Sequence, residues 1–336
     1  NGAPLLFIGW AVLGSPYAQK AMCDSCGESE SCAMFDPTWD NAGYDFLSKY
    51  SISMAKLCHF LRLVENEYNE VPYHNSVHVA DVVQTLHSLL QMGGIEFARS
   101  PLEVFSLLIA ACVHDIGHCG LNNDFQINSR SDIALFYDNI SPLENMHASK
   151  AFMLLLGKES YESEGSLLSS FSTEQISSIK KIVADAILYT DMSKHSSHIN
   201  FLNTTLLNEC LLIKGCPGKV KKSDFSLQVL YFLLHLSDIS GAAKPELMFQ
   251  KWADLVFEEF FAQGDIEKSL GMDISPLCDR HSVDLPKSQI GYINYVILPS
   301  FIVLQSLIPT VHNVILQIKK NLSYWKEKQL VSQSRD

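Results

Sequence analysis

Two pairs of histidines, each four residues apart, frame the chemistry this chain can do. On a helix, His74 and His78 in PYHNSVHVAD would project from one face into one small volume. His114, Asp115 and His118 in CVHDIGHCG repeat the arrangement at the end of an apolar run. More acids and imidazoles stand in or beside apolar segments: Glu144 and His147 in LENMH, Asp191 in LYTDMSKH, Asp238 in HLSDIS. A single histidine on an apolar face is usually a satisfied core residue, and a single acid usually finds a lysine or arginine. Here the same segments carry almost no Lys or Arg, and a buried carboxylate needs a compensating charge, so the simplest counter-charge is metal. Nitrogen and oxygen donors without thiolates suit a catalytic Zn²⁺ rather than a closed structural site. A carboxylate such as Asp115 can bridge to a second ion, Mg²⁺ or Mn²⁺, whose waters acids and histidines hold. Such a pair activates water and clamps a phosphoryl oxygen, so the residue types point to a metal-dependent phosphohydrolase.

Helices must position these groups. Leu102–Val113 is apolar at nearly every position and free of Gly and Pro, which predicts a helix buried all round, and Phe225–Leu236 reads the same way. Thr173–Thr190 places Ile176, Ile179, Ile182, Val183, Ile187 and Leu188 on one stripe behind a Thr173 cap, an amphipathic helix. Strand alternation and hairpin signals are almost absent, so the fold class is all-α. Breaks are expected at Gly93–Pro101, Gly157–Ser172, Lys214–Asp224 and Gly264–Lys287. None is long enough for a domain linker. The expected organisation is an irregular N-terminal segment over 1–44, one helical domain over 45–325, and a tail over 326–336.

Hydrophobic residues make up 47% of the 336 and charged residues 18%, which excludes disorder for most of the chain. The formal charge of −12 repels polyanions and excludes a sequence-independent nucleic-acid binder. Nine scattered cysteines fit reduced thiols and a cytoplasmic location better than a disulfide framework. Cys23, Cys26 and Cys32 could be half a zinc site, but no fourth ligand is in view, and a loop with free thiols is the plainer reading. Ala3–Gly14 is too short to span a bilayer, and the longest apolar stretch, Ile290–Ile308, contains Asn294, Pro299 and Gln305. It is read as a buried helix, so no transmembrane segment is expected. Asn1 suggests a fragment beginning mid-chain, with a regulatory region preceding it.

PYHNSVHVADV, AACVHDIGHCGLNN, SPLENMH, TDMSKH, LLHLSDISGAAK and KSQIGYINYVILPSF occur in this order. Over about residues 45–325 they resemble the catalytic domain of class I 3′,5′-cyclic nucleotide phosphodiesterases. The resemblance implies a compact all-α domain of about sixteen helices that hydrolyses the 3′ phosphoester of cyclic AMP or cyclic GMP to the 5′-monophosphate. It implies His78, His114, Asp115 and Asp238 as Zn²⁺ ligands, with Asp115 bridging to Mg²⁺. His118, Glu144 and Asp191 would hold waters on the second metal. His74 would be the general acid, tuned by Glu144 or His147 through hydrogen bonds. Gln289 would meet the purine edge, Val256 and Tyr292 would clamp its faces, and Phe260, Tyr73 and Gly241 would line the pocket.

Two departures from the family pattern bear on base selectivity. Cyclic-AMP-selective members carry Asn at the position of Gly241, and most members have Phe at that of Tyr292. A glutamine free to present either its C=O or its NH₂ can serve adenine or guanine. The alternatives are another His-Asp metal phosphohydrolase, which the C-terminal Gln289–Tyr292 motif disfavours, and a non-enzymatic nucleotide-binding scaffold, which the intact His and Asp set disfavours.

Overall fold

The computed structural model describes residues 2–14, 44–157, 166–212 and 225–333, and among them there is no strand. The helices are α1 (Pro4–Leu13), α2 (Phe46–Tyr50), α3 (Met54–Asn66), α4 (Ser76–Gln91), α5 (Pro101–Val113), α6 (Asn123–Asn128) and α7 (Asp132–Phe136). They continue with α8 (Pro142–Leu155), α9 (Thr173–Leu188), α10 (His195–Leu212), α11 (Phe225–Asp238), α12 (Glu246–Ser269), α13 (Leu285–Leu307) and α14 (His312–Gln333). The all-α expectation holds. Cys23, Cys26, Cys32 and the break at Lys214–Asp224 lie outside the described residues. The four cysteines found free are Cys58, Cys112, Cys119 and Cys278.

At the centre is α5. Ser100 Oγ caps it by accepting from Glu103 N, Pro101 occupies its first turn where no N–H is needed, and every residue from Glu103 to Val113 is buried. It packs between α4 and α9, while α11, buried from Val229 to Ser237, lies against α4 and also touches α5 and α9. Each large aliphatic side chain so enclosed contributes about 1.5–3 kcal/mol relative to exposure. This apolar block holds rigid the ends of α5 and α11, where His114, Asp115 and Asp238 emerge.

Three boundaries differ from the sequence reading. The cap of α9 is Ser172, not Thr173: Ser172 Oγ accepts from Gln175 N at 3.3 Å and Gln175 Oε1 accepts from Ser172 N at 2.9 Å, a reciprocal capping box. Gly264 is no break, because α12 continues to Ser269. A Cβ on Gly264 would lie 2.0 Å from the Cys278 carbonyl oxygen, so this glycine permits a close backbone approach inside a helix. Residues 326–333, expected as a tail, prolong α14.

The long apolar stretch is indeed helical, with a π-helical segment at Ile293–Ile297. Pro299 has no N–H for the Tyr295 carbonyl and its ring would clash there, and the wider turn lets the chain pass. Its expected burial is partial. Ile293, Ile297, Phe301 and Leu304 face the core, whereas Tyr295 is 83% and Ile302 49% exposed. Among the described residues this is the one helix long and apolar enough to cross a membrane.

Candidate active site

His78, His114, Asp115 and Asp238 converge, each offering one donor atom within 4.8 Å of the others. His78 Nε2 lies 3.0 Å from Asp238 Oδ1 and 3.7 Å from Asp115 Oδ2, and His114 Nε2 lies 3.3 and 3.2 Å from the same two oxygens. His114 Nδ1 donates to the Ala111 carbonyl at 3.0 Å, which leaves the Nε2 lone pair for a ligand. Asp115 Oδ2 is buried without a hydrogen-bond partner. Burial works against the charged form of both carboxylates, but the adjacent His114 imidazole outweighs it, and positive charge at this point holds them well below the usual range. Two ionised carboxylates sharing imidazole nitrogens, one oxygen left orphaned, form a pocket that fits a divalent cation.

The helical argument for His74 and His78 is only half right. Asn75 Oδ1 accepts from Val77 N and His78 N, so α4 begins between the two histidines, and His74 sits in the preceding turn. Its partner is a residue the sequence reading missed. Glu259 Oε1 pairs with His74 Nδ1, and Glu259 Oε2 accepts from Tyr73 N at 2.9 Å and His74 N at 3.1 Å. Burial alone would lower the imidazole, but the hydrogen bond and charge of Glu259, with Asp115 and Asp238 behind, raise it to about 9. The expected hydrogen bond from Glu144 or His147 is not made. Glu144 accepts from Asn123 Nδ2, and His147 Nδ1 donates to the Ile116 carbonyl at 2.8 Å, so both are committed elsewhere. A signal for Glu259 existed: it continues the stripe of Trp252 and Val256 along α12, on the face that also buries Gln263 and Glu267.

His118 stacks on His74 with ring centroids 4.0 Å apart, and its Nδ1 accepts from Gly120 N at 3.0 Å, so its proton is on Nε2. His74, His118 and Glu259 also lie close enough to hold an ion, but both Glu259 oxygens are occupied by N–H donors, which makes this an acid–imidazole pair. Burial, with Asp191 and Asp115 nearby, pushes Glu144 up to about 7. For Asp191 burial is outweighed by hydrogen bonds from Ser141 Oγ at 2.6 Å and Ser193 N at 2.9 Å, which hold it low.

Beside the cluster opens a cavity of about 250 Å³. Every expected pocket residue lines it: Tyr73, Gly241, Val256, Phe260, Gln289 and Tyr292, together with His74 and Asp238. Phe249, Trp252, Phe257 and Leu277, not anticipated, complete its apolar walls. Among the described residues, nothing hydrogen-bonds the Gln289 side-chain amide, although the residue is only 8% exposed. A Cβ on Gly241 would meet Trp252 Cβ at 3.4 Å, an ordinary contact, so the turn has room for a side chain it does not carry.

An all-α body with a buried cluster of imidazole and carboxylate donors at the mouth of an apolar cavity defines a candidate metal-dependent hydrolase. A family model described as 3′5′-cyclic nucleotide phosphodiesterase matches residues 73–318, and the chain belongs to that family. Similar curated proteins include a 3′,5′-cyclic-AMP phosphodiesterase, isoform F, of Drosophila melanogaster, 36% identical over 285 residues covering 84% of this chain and 42% of that one. Another is 3′,5′-cyclic-AMP phosphodiesterase 4C of Rattus norvegicus, 39% identical over 256 residues covering 76% of this chain and 47% of that one. The chain thus spans less than half the length of either. Among solved structures, the phosphodiesterase domain of the Salpingoeca rosetta rhodopsin phosphodiesterase superposes with a TM-score of 0.79 at 27% identity, covering 96% of this chain and 90% of that one.

Proposed function

We propose that the protein hydrolyses the 3′ phosphoester of cyclic AMP and of cyclic GMP to the 5′-monophosphate, ending a second-messenger signal. The observation that carries this reading is the meeting, at one cavity, of the four-donor cluster, the Glu259-held His74 and a slot walled by Val256, Phe260 and Tyr292 with Gln289 beside them. His78, His114, Asp115 and Asp238 would hold Zn²⁺, and Asp115 would also reach Mg²⁺ or Mn²⁺, with His118, Glu144 and Asp191 holding its waters. Bound there, the ions would supply an activated water and neutralise charge on the phosphoryl group.

The chain's own residues do the rest. Glu259 keeps the His74 imidazole protonated and aimed, so that it delivers a proton to the departing 3′ oxygen. His118 and the Glu144 carboxylate, which an adjacent divalent ion would keep ionised, would each hold a water at the second ion. Val256 and Tyr292 sandwich the purine, and burial of the flat ring supplies affinity that is blind to base identity. The Gln289 amide, with no protein partner, turns its C=O toward the adenine amino group or its NH₂ toward the guanine carbonyl. Gly241 offers no side chain to reject either base. Cyclic AMP is named for the curated relatives; cyclic GMP enters from these two residues.

The test is product and metal analysis of the purified protein. The reading requires 5′-monophosphate as product, Zn²⁺ plus a hard divalent ion in the protein, and loss of turnover on exhaustive chelation with return on readdition. Full activity after chelation, or a 3′-monophosphate product, would overturn it.

A further inference from the structure

The C-terminal helix reaches the pocket from behind through one amide. Asn321 on α14 is 1% exposed and lies beyond the matched span 73–318. Its Nδ2 donates to the Ala242 carbonyl at 2.9 Å and to the Lys244 carbonyl at 2.8 Å, and its Oδ1 accepts from Gln317 Nε2 at 2.9 Å. Both carbonyls can only accept, so the orientation of the amide is fixed by its partners. The two bonds span about eighty residues of sequence and close on the short 3₁₀ turn Ser240–Ala243, which joins Asp238 to α12.

That turn carries Gly241 and Ala242, both in the cavity wall. Its far end is pinned independently: Lys244 Nζ donates to Asp81 Oδ1 at 2.8 Å and to Thr85 Oγ1, and Asp81 stands three residues after His78 on α4. One turn further along α14, Tyr324 and Trp325 set their rings against Phe249, another wall residue, at centroid separations of 5.5 and 6.0 Å. Helix α14 therefore supports the nucleotide side of the cavity and touches none of the four cluster residues through these contacts. With no side chain at Gly241, the depth of the pocket there is set by the position of the main chain, and Asn321 sets that position.

We infer that Asn321 is a positioning residue for the nucleotide, a clamp that fixes the Gly241 turn at the distance a purine needs. This inference rests on the proposed function. Asn321→Leu removes both donors at similar volume, and Asn321→Asp keeps the shape but turns an acceptor toward two carbonyls, so both let the turn move. The expected result is a KM raised about tenfold or more for both cyclic nucleotides with kcat within about threefold and metal content unchanged, the mark of lost binding alone. Asn321→His, which keeps one donor, should recover part of the loss. Amide hydrogen exchange should quicken at residues 239–244 while α5 stays protected, a readout independent of turnover.

A variant that melts cooperatively and keeps the parental KM and the parental exchange at 239–244 overturns the clamp. So does a variant that loses metal and kcat together with protection throughout the domain, which is general destabilisation. The two readings fail separately: an unaltered protein that turns over no cyclic nucleotide removes the function, whereas turnover with an unshifted KM in the variants removes the clamp.

Discussion

Replacing Glu259 by Gln isolates what a single buried charge does for the proposed acid. Glu259 is 3% exposed and faces His74 Nδ1 with one oxygen and two main-chain N–H groups with the other. Gln is nearly the same shape but carries no charge. His74 stands at about 9 because the hydrogen bond and charge of Glu259 outweigh burial; without the charge, burial prevails and the imidazole falls to its ordinary 6.5 or below. The sign follows: a group with a raised value is protonated below it, so the active form of the parent persists into alkaline solution and that of the variant does not. At pH 8 an imidazole at 9 is about 90% protonated and one at 6.5 about 3%, roughly a thirtyfold loss of active enzyme; at pH 6 the ratio is under about 1.5. Positive charge bound at the Asp115 cluster would shift both limbs in the same direction, so the separation between them is what the assay reads. The assay is kcat/KM from pH 5.5 to 9.5 for both proteins, since that ratio reports the free enzyme's acid. An alkaline limb that stays in place, or a loss equal at every pH, would refute the assignment of Glu259 to the charge state of His74.

Three further outcomes are expected. Asp238→Ala should strip metal and turnover together, because it removes an oxygen that both His78 and His114 approach; retained metal would show that Asp238 is structural. His74→Ala should lower kcat by roughly 10²–10⁴ with metal content intact, and loss of zinc instead would move His74 into the ligand set. Gly241→Asn has room beside Trp252 and should shift the ratio of kcat/KM toward cyclic AMP by about tenfold, as one added base-edge hydrogen bond permits; an unchanged ratio would take the turn out of base recognition.

The cluster was legible because it breaks a rule. Acids and imidazoles in the otherwise apolar surroundings of α5 and α11 need an explanation, and His114, Asp115 and Asp238 supply one on sight. The packing of α5 was equally plain, since an unbroken apolar run can only be buried. Glu259 escaped because it sits in FEEFF beside Glu258, and composition cannot say which of two adjacent acids turns inward; only the phase of the helix set by Trp252 and Val256 does. His74 looked helical because the four-residue spacing is right, but the Asn75 side chain caps a helix that starts only at Ser76. Gly264 read as a break because a glycine's need for close approach is tertiary, here to the Cys278 carbonyl. The Asn321 contacts were illegible for the same reason, joining residues about eighty apart.

The most direct test of the account is a paired measurement of kcat/KM for cyclic AMP and cyclic GMP on one metal-replete preparation. The unlocked Gln289 and the bare Gly241 predict hydrolysis of both, with values within about two orders of magnitude, because each polar contact to the base edge is worth only ~1–3 kcal/mol. Selectivity above about a thousandfold, roughly 4 kcal/mol, for either nucleotide would contradict the account of the base pocket, and no hydrolysis of either would contradict the function itself.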